Sequence, residues 1–323
     1  MIRDPEKNSI EVSVIIVNYN ADKLLRECLS SLIKYTNNIS YEIIVVDNCS
    51  TQGSVDRVIS EFDNVILIKA DQNLGYAEAN NQGAQVARGE YLLILNNDVV
   101  FIENSIEEIL NFAKGRDDNV FIGCKLLNED KTFQESVVDF PTLQNTLMES
   151  FFLYKMFPRS KFFNKYSQNY MDAKNPIEVD FVKGAFIFCE TIDYKALNGF
   201  DERFYFYGEE TDLCYRFKNE KNGKVLYYPN TAIIHIGGAT TQKDLWFKYK
   251  NQTFAKIQFF QKHYHGIRFV TALILHLLGV LLRAPLYFCG GLITFNKNLL
   301  IKSYYFTKQL FTYPKNKFKI VES

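Results

Sequence analysis

The sequence predicts an α/β fold built on a mostly parallel sheet, followed by an apolar C-terminal segment of different character. Three observations carry this. Short β-branched runs alternate with helix-patterned segments from Val12 to Leu95. Asn and Asp cluster just after the strand runs. From Phe269 to Leu282 the chain is almost entirely apolar. Parallel strands need crossover helices that cover both faces of the sheet, which is why such strands read as continuous apolar runs.

The elements follow in order. Val12 to Val17 is a buried strand run. Ala21 to Lys34 has helical spacing at Leu24, Leu25, Cys28, Leu29 and Leu32. Glu42 to Val46 and Val65 to Ile68 are the second and third strands, Tyr76 to Arg88 a small-residue helix, and Tyr91 to Leu95 the fourth strand. Asn104 to Lys114 has a helical pattern. Ser150 to Tyr170 mixes aromatics with basic residues, as a helical insertion with a mixed face, a lid or a membrane-docking surface would. Phe181 to Cys189 is apolar, Glu209 to Lys218 an acidic helix, Val225 to Tyr228 and Ala232 to Ile236 strands, and Gln242 to His263 a long helix.

Composition excludes several classes. The chain has 323 residues, 47% of them hydrophobic, which is enough for a substantial core. Its 37 basic and 37 acidic residues balance, whereas a nucleic-acid binder carries a basic excess. The six cysteines are scattered with no C-x-x-C pair, as expected of reduced thiols. Met1 to Glu11 is polar and lacks the apolar core of a signal peptide, so the α/β part is expected in the cytosol.

The polar clusters are Asn18-Tyr19-Asn20, Asp47-Asn48 and Asn96-Asn97-Asp98, each following a strand. Ligands of open parallel sheets bind beyond the carboxyl ends of the strands, so three clusters at that edge mark a site. No G-x-G-x-x-G follows the first strand, no Walker loop is present, and the first strand-to-helix turn holds no glycine. Dinucleotide, P-loop and nucleotidyltransferase chemistries are disfavoured accordingly.

In the C-terminal segment, Arg283 and Pro285 interrupt the apolar run and Gly290-Gly291 loosens its second half. A clean span needs about 20 apolar residues. The tail from Lys297 holds six lysines against one acid, Glu322. Apolar residues beside a polybasic tail suit an anionic membrane surface, so residues 269–323 are expected to lie on the membrane as a peripheral or shallowly inserted attachment, with a tilted span, a re-entrant hairpin or a buried core helix as the alternatives.

The motif set resembles family 2 glycosyltransferases of the GT-A nucleotide-diphospho-sugar transferase fold, in particular a rhamnosyltransferase-like branch that builds bacterial surface polysaccharides. The resemblance runs from Val12 to Tyr264. It rests on Val12-Ser-Val-Ile-Ile-Val-Asn-Tyr-Asn20, Ile44-Val-Val-Asp-Asn-Cys-Ser-Thr51, Asn73-Leu-Gly-Tyr-Ala-Glu-Ala-Asn80 and Leu95-Asn-Asn-Asp-Val99. It continues through Gly199-Phe-Asp-Glu202, Glu209-Glu-Thr-Asp-Leu-Cys-Tyr-Arg216, and His235 with Gly237-Gly238. It implies a domain over residues 1–264 and a membrane-associating segment over 265–323.

The resemblance also implies roles. Asp47 matches the acceptor for the pyrimidine N3–H, which uracil and thymine share, so UDP and dTDP donors both fit. Asn18, Asn20 and Asn97 match the lining of the nucleotide-sugar pocket, and Asn73, Gly75 and Asn80 the stretch near the ribose and diphosphate. Asp98 matches the surviving carboxylate of a D-x-D metal motif and His235 a second ligand. One carboxylate and one imidazole favour Mn2+ over Mg2+. Glu210 matches the general base of an inverting transfer, with Glu209 as the alternative, and Asp201 and Glu202 match the acceptor-side loop. The implied donor is a dTDP- or UDP-sugar, rhamnose or hexose. The implied acceptor is lipid-linked or glycan, at the cytoplasmic face of the inner membrane. The rival reading is a non-catalytic nucleotide-sugar-binding or membrane scaffold protein with a vestigial site.

Overall fold

The computed structural model describes residues 9–51, 53, 55–157, 160, 162–163, 170–237 and 245–312. In chain order the first elements are β1 (Val12–Asn18), α1 (Asp22–Tyr35), β2 (Tyr41–Asp47), α2 (Val55–Ile59), β3 (Val65–Lys69), α3 (Gly75–Val86) and β4 (Tyr91–Asn96). Then come β5 (Val99–Phe101), α4 (Ser105–Lys114), β6 (Val120–Leu127), β7 (Phe133–Gln134), β8 (Val137–Val138), α5 (Leu143–Ser150) and α6 (Leu153–Met156). The rest are β9 (Ile177–Glu178), β10 (Phe181–Val182), β11 (Phe186–Glu190), α7 (Thr191–Ala196), α8 (Glu209–Glu220), β12 (Lys224–His235), α9 (Leu245–His263), α10 (Gly266–Ile293) and α11 (Lys297–Phe311).

Two compact units result. The first comprises residues 1–138 and 169–240, the second residues 139–168 and 241–323. The first is built on a ten-stranded sheet with the order β3-β2-β1-β4-β11-β6-β12-β5, while β7 pairs with β6 and β9 with β12. Strands β3, β2, β1 and β4 are mutually parallel; β11 runs antiparallel to both β4 and β6. This is the architecture of GT-A glycosyltransferases.

Alternation in the strands feeds two layers. Val14, Ile16, Val45, Leu93 and Leu95 face one way and pack with Leu25, Cys28, Leu29 and Leu32 of α1 and Ile106, Ile109 and Leu110 of α4. Ile15 and Val46 meet α3 on the opposite face. A Cβ at Gly83 would lie 2.5 Å from Ile15 Cγ2, so glycine sets how closely α3 approaches. Each fully buried aliphatic side chain contributes about 1.5–3 kcal/mol.

Two departures from the sequence reading have physical causes. The strand segments read separately at Val225 and Ala232 are one strand, β12, whose pairing with β6 shifts register between Tyr228 and Ala232, around Pro229. In the second unit the apolar run is not broken at Arg283 and Pro285, since α10 continues through both for 28 residues. Pro285 costs the helix one backbone bond. Arg283 is buried and donates to the Glu149 carbonyl at 2.6 Å and to Glu149 Oε1 at 3.3 Å. Its guanidinium also lies against the Phe152 and Phe306 rings. Glu149 takes the Lys256 ammonium as well. Gly279 lets Ser150 approach, and Ser150 Oγ donates to Leu275 O at 2.8 Å. Of the aromatic-basic stretch expected to form a helical insertion or a lid, only one turn, α6, is helical among the described residues; residues 158–159, 161 and 164–169 lie outside them.

Helix α8 is tied down by a buried arginine. Arg216 Nε donates to Asp212 Oδ2 at 2.7 Å, Nη1 to Leu197 O at 2.7 Å, and Nη2 to Gly199 O at 2.8 Å. Arg216→Leu takes the guanidinium away from the Asp212 carboxylate, which is 0% exposed, and from two backbone carbonyls. Breaking a buried pair costs about 3–5 kcal/mol. Thermal unfolding followed by near-ultraviolet circular dichroism is expected to show a marked fall in the midpoint. Arg216→Leu/Asp212→Leu should recover a good part of it.

Candidate active site

The sheet register sets the site. Asn18 pairs with Asp47, and Val17 pairs with Asn96, so three strand ends finish at one level. Because β11 is antiparallel, its beginning reaches the same edge, where Asn96 N donates to Ala185 O at 3.2 Å.

On the β1–β2 side the polar groups form a chain. Asn97 Nδ2 donates to Asn18 Oδ1 at 3.1 Å, and Asn18 Nδ2 donates to Asp47 Oδ1 at 3.2 Å. Ser50 gives Asp47 two more bonds, from Oγ at 2.6 Å and from its backbone N at 3.2 Å. Asn20, at φ +51°, receives the Thr51 N–H at 2.8 Å while its own N–H donates to Ser50 Oγ at 2.9 Å. Asn18, Asn20, Asp47 and Asn97 are thus one connected array.

The Asn73–Gly75 segment is held by Asn48, which sequence reasoning quoted inside a motif without giving it a role. Asn48 Nδ2 donates to Asn73 Oδ1 at 3.1 Å and to Gly75 O at 3.0 Å, while Asn48 Oδ1 receives Leu74 N–H at 2.8 Å. Gly75 has φ +82°, and a Cβ there would lie 2.5 Å from Tyr205 O, so glycine is required on two counts. Asn80 differs from its neighbours. It is 0% exposed within α3 and donates to Tyr76 O at 2.9 Å, so its amide is turned into the protein.

Asp98 and His235 meet because β5 pairs with β12, with His235 opposite Val99. His235 Nε2 lies 3.3 Å from Asp98 Oδ1 and 3.3 Å from Asn96 Nδ2. Asp98 Oδ2 accepts Gly237 N–H at 3.2 Å. Gly238 lies outside the described residues. Among the described residues no group of three or more His, Cys, Asp or Glu side chains is placed to hold a metal. The Asp98–His235 pair nonetheless fits a divalent cation as a partial ligand set, because an imidazole nitrogen and a carboxylate oxygen face one another and a cation satisfies both.

Glu209 and Glu210 open α8 after Tyr207 and Gly208, both at positive φ. Burial raises the Glu209 carboxyl well above its usual range, and the charge of Glu210 raises it further. Burial also raises Glu210, while nearby backbone N–H groups and the Lys183 ammonium pull it down. Each residue has a buried Oε2 with no hydrogen-bond partner. Glu210 stands beside Gly184, immediately before Ala185, whose carbonyl takes the Asn96 N–H, and Tyr76 OH donates to Gly184 O at 3.0 Å. This places the acidic pair at the same sheet edge as the Asn96–Asp98 turn.

Asp201 and Glu202 are engaged locally. Asp201 pairs with Arg203, and Glu202 Oε1 accepts from Asn81 Nδ2 at 3.0 Å. The same Asn81 receives Phe200 N–H at 2.9 Å and Tyr194 O–H at 2.7 Å, which docks this loop on α3.

The model of the family described as "Glycosyl transferase family 2" matches residues 13–188, more than half of the chain. The chain belongs to that family. An O-antigen biosynthesis protein, RfbC, of Myxococcus xanthus is 27% identical over 248 residues, covering 75% of this chain and 18% of its own length. An N-acetylglucosaminyl-diphospho-decaprenol L-rhamnosyltransferase of Mycobacterium tuberculosis is 25% identical over 247 residues, covering 72% of this chain and 78% of its own. The chain spans only 18% of RfbC, and 38% and 19% of two further relatives. Among solved structures, GalNAc-T7 with UDP, GalNAc and Mn2+ superposes with a TM-score of 0.53 at 18% identity, covering 71% of this chain and 44% of that one. That likeness is one of fold.

Asp47→Ala is expected to weaken binding of a pyrimidine nucleoside diphosphate by about 1–3 kcal/mol, the cost of leaving a donor without its acceptor. Calorimetry with UDP and with dTDP checks it. Unchanged affinity for both places the base elsewhere.

Proposed function

We propose that this chain is an inverting glycosyltransferase. It transfers rhamnose or a hexose from a dTDP- or UDP-sugar to a hydroxyl of a lipid-linked or glycan acceptor in surface polysaccharide synthesis. The observation that supports it most is the convergence on one sheet edge of the Asn18–Asp47 array, the Asp98–His235 pair and the Glu209–Glu210 pair. The rhamnosyltransferase relative, by its name, acts on a lipid-diphosphate sugar, which agrees with this donor and acceptor class.

In this reading Asp47 accepts the N3–H of the base, and the Asn73–Gly75 backbone lies against the ribose and diphosphate. Asp98 and His235 would hold a divalent cation, Mn2+ or Mg2+, whose chemistry there would be to offset charge on the leaving diphosphate. The acceptor oxygen attacks the anomeric carbon while the bond to the diphosphate breaks. Glu210 takes the hydroxyl proton, and its unpartnered Oε2 and raised pKa suit it to that task. Asp201 and Glu202 shape the acceptor side through the loop docked on Asn81.

The second unit supports a membrane location. Helix α10 is 28 residues long with a mean hydropathy of 2.0 over its most apolar stretch, the one described helix long and apolar enough to cross a membrane. Ile267, Val270, Ile274, Leu278 and Leu281 line one exposed face at helical spacing. Lys297, Lys302 and Lys308 follow on α11, while Lys315, Lys317 and Lys319 lie outside the described residues. In this reading residues 265–323 attach at the cytoplasmic face, and residues 1–264 carry the transfer.

Glu210→Gln is expected to lower kcat by about 10²–10⁴-fold with donor binding little changed. A base must be unprotonated to act. With its pKa raised, the rise of kcat/KM with pH is expected above the ordinary carboxylate range, and Glu210→Gln should abolish that limb. A Glu209→Gln variant that is dead beside an active Glu210→Gln reassigns the base.

The full chain is expected to sediment with vesicles containing anionic lipid and to be partly released by high salt, since each lysine near the surface contributes about 1 kcal/mol that salt attenuates. Full resistance to alkaline carbonate would show a spanning helix. A chain that stays in solution would place the apolar face against protein.

A further inference from the structure

The orientation of His235 is not set by chance, and the residue that sets it lies in the part of the chain whose sequence is least readable. Gln134 ends β7, which pairs antiparallel with β6, Gln134 opposite Leu126. β12 pairs with the same strand, with Ile234 opposite Leu127. Strand β6 therefore brings Gln134 next to His235, 101 positions away in the chain.

The hydrogen bonds decide which way the Gln134 amide points. Its Nε2 donates to the His235 backbone carbonyl at 2.8 Å and to Asn128 Oδ1 at 3.0 Å. A backbone carbonyl can only accept, so the group facing it must be the NH2 end of the amide. The other end, Oε1, lies 2.6 Å from His235 Nδ1. Because Oε1 can only accept, Nδ1 must carry the proton. In the neutral imidazole this leaves the lone pair on Nε2, the nitrogen that faces Asp98 Oδ1 at 3.3 Å.

We infer that Gln134 is a positioning residue that locks His235 in its Nδ1–H tautomer, so that Nε2 presents a lone pair beside Asp98 for a divalent cation. The inference rests on the metal reading given above and adds the residue that enforces it. Ligating histidines generally use their second nitrogen to donate to an oxygen acceptor, which fixes the ring and the tautomer. Here that acceptor is a neutral amide oxygen, and the NH2 end of the same amide is held by the two bonds it donates. The Asn128–Thr132 turn is closed by Asn128 N–H to Thr132 O at 2.9 Å and Lys131 N–H to Asn128 O at 2.9 Å, which fixes the Asn128 end of the chain.

The test uses the full chain labelled with 15N-histidine. In metal-free protein at pH 8 the His235 ring nitrogens, assigned by loss of their signals in His235→Ala, report the tautomer directly. The expected result is Nδ1–H in the wild type and a mixture of tautomers in Gln134→Met. Mn2+ binding in the presence of saturating UDP or dTDP, read from the electron paramagnetic resonance signal of free Mn2+, is expected to weaken by about 10–100-fold in Gln134→Met. An Nε2–H tautomer in the wild type overturns the inference, and so does Gln134→Met binding Mn2+ as tightly as the wild type. A wild-type protein with the Nδ1–H tautomer that binds no Mn2+ overturns the metal reading instead, while the tautomer lock stands.

Discussion

The parallel pairing of β1 with β2 on one side and β4 on the other is the constraint from which the site follows. It is continuous from Val12 to Asn18 against β2, and from Val12 to Val17 against β4. A one-residue slip would turn each strand's buried set to the opposite face. With both faces covered by helices, neither face tolerates the exchange. The register is therefore fixed by packing, and it in turn fixes the level at which Asn18, Asp47 and Asn96 leave the sheet. The antiparallel β11 then brings Gly184 and Ala185 back to that edge. The catalytic candidates are held by the core.

Polar chemistry at this edge is organised by complementary hydrogen bonds. The Asn97–Asn18–Asp47 chain and the Asn48 clamp each leave few choices of amide orientation, because every amide has a donor at one end and an acceptor at the other. Pre-oriented dipoles of this kind cost no reorganisation when a ligand arrives. Glu209 and Glu210 are the exception. They are held with unsatisfied oxygens, and burial raises both carboxyls above the usual carboxylate range.

Much of this was legible in the sequence, for physical reasons. Strands β1 to β4 are buried on both faces, so their β-branched runs stand out, and the polar clusters after them mark the edge directly. Strand β6 was missed because Gly123 and Lys125 break its apolar run. Gly123 is needed where it is, since a Cβ there would meet the Val182 side chain at 2.6 Å. Arg283 reads as an interruption because its partner, Glu149, is 134 residues away and invisible to local pattern. Asp98 and His235 were placed by resemblance. Gln134 carried no local signal, because its role exists only when β6 and β12 are paired. Asn80 matches a motif, and in α3 its amide donates to Tyr76 O one turn back.

The central claim is that one sheet edge holds the pyrimidine base, the metal and the base catalyst in fixed relation. A crystal structure of the full chain with Mn2+ and UDP or dTDP tests it most directly. The account predicts an anomalous Mn2+ peak ligated by Asp98 and His235 Nε2, with the pyrimidine N3–H on the Asp47 carboxylate and Glu210 facing the diphosphate across an open gap. A Mn2+ peak away from both residues, or a pyrimidine ring that does not touch Asp47, would contradict it.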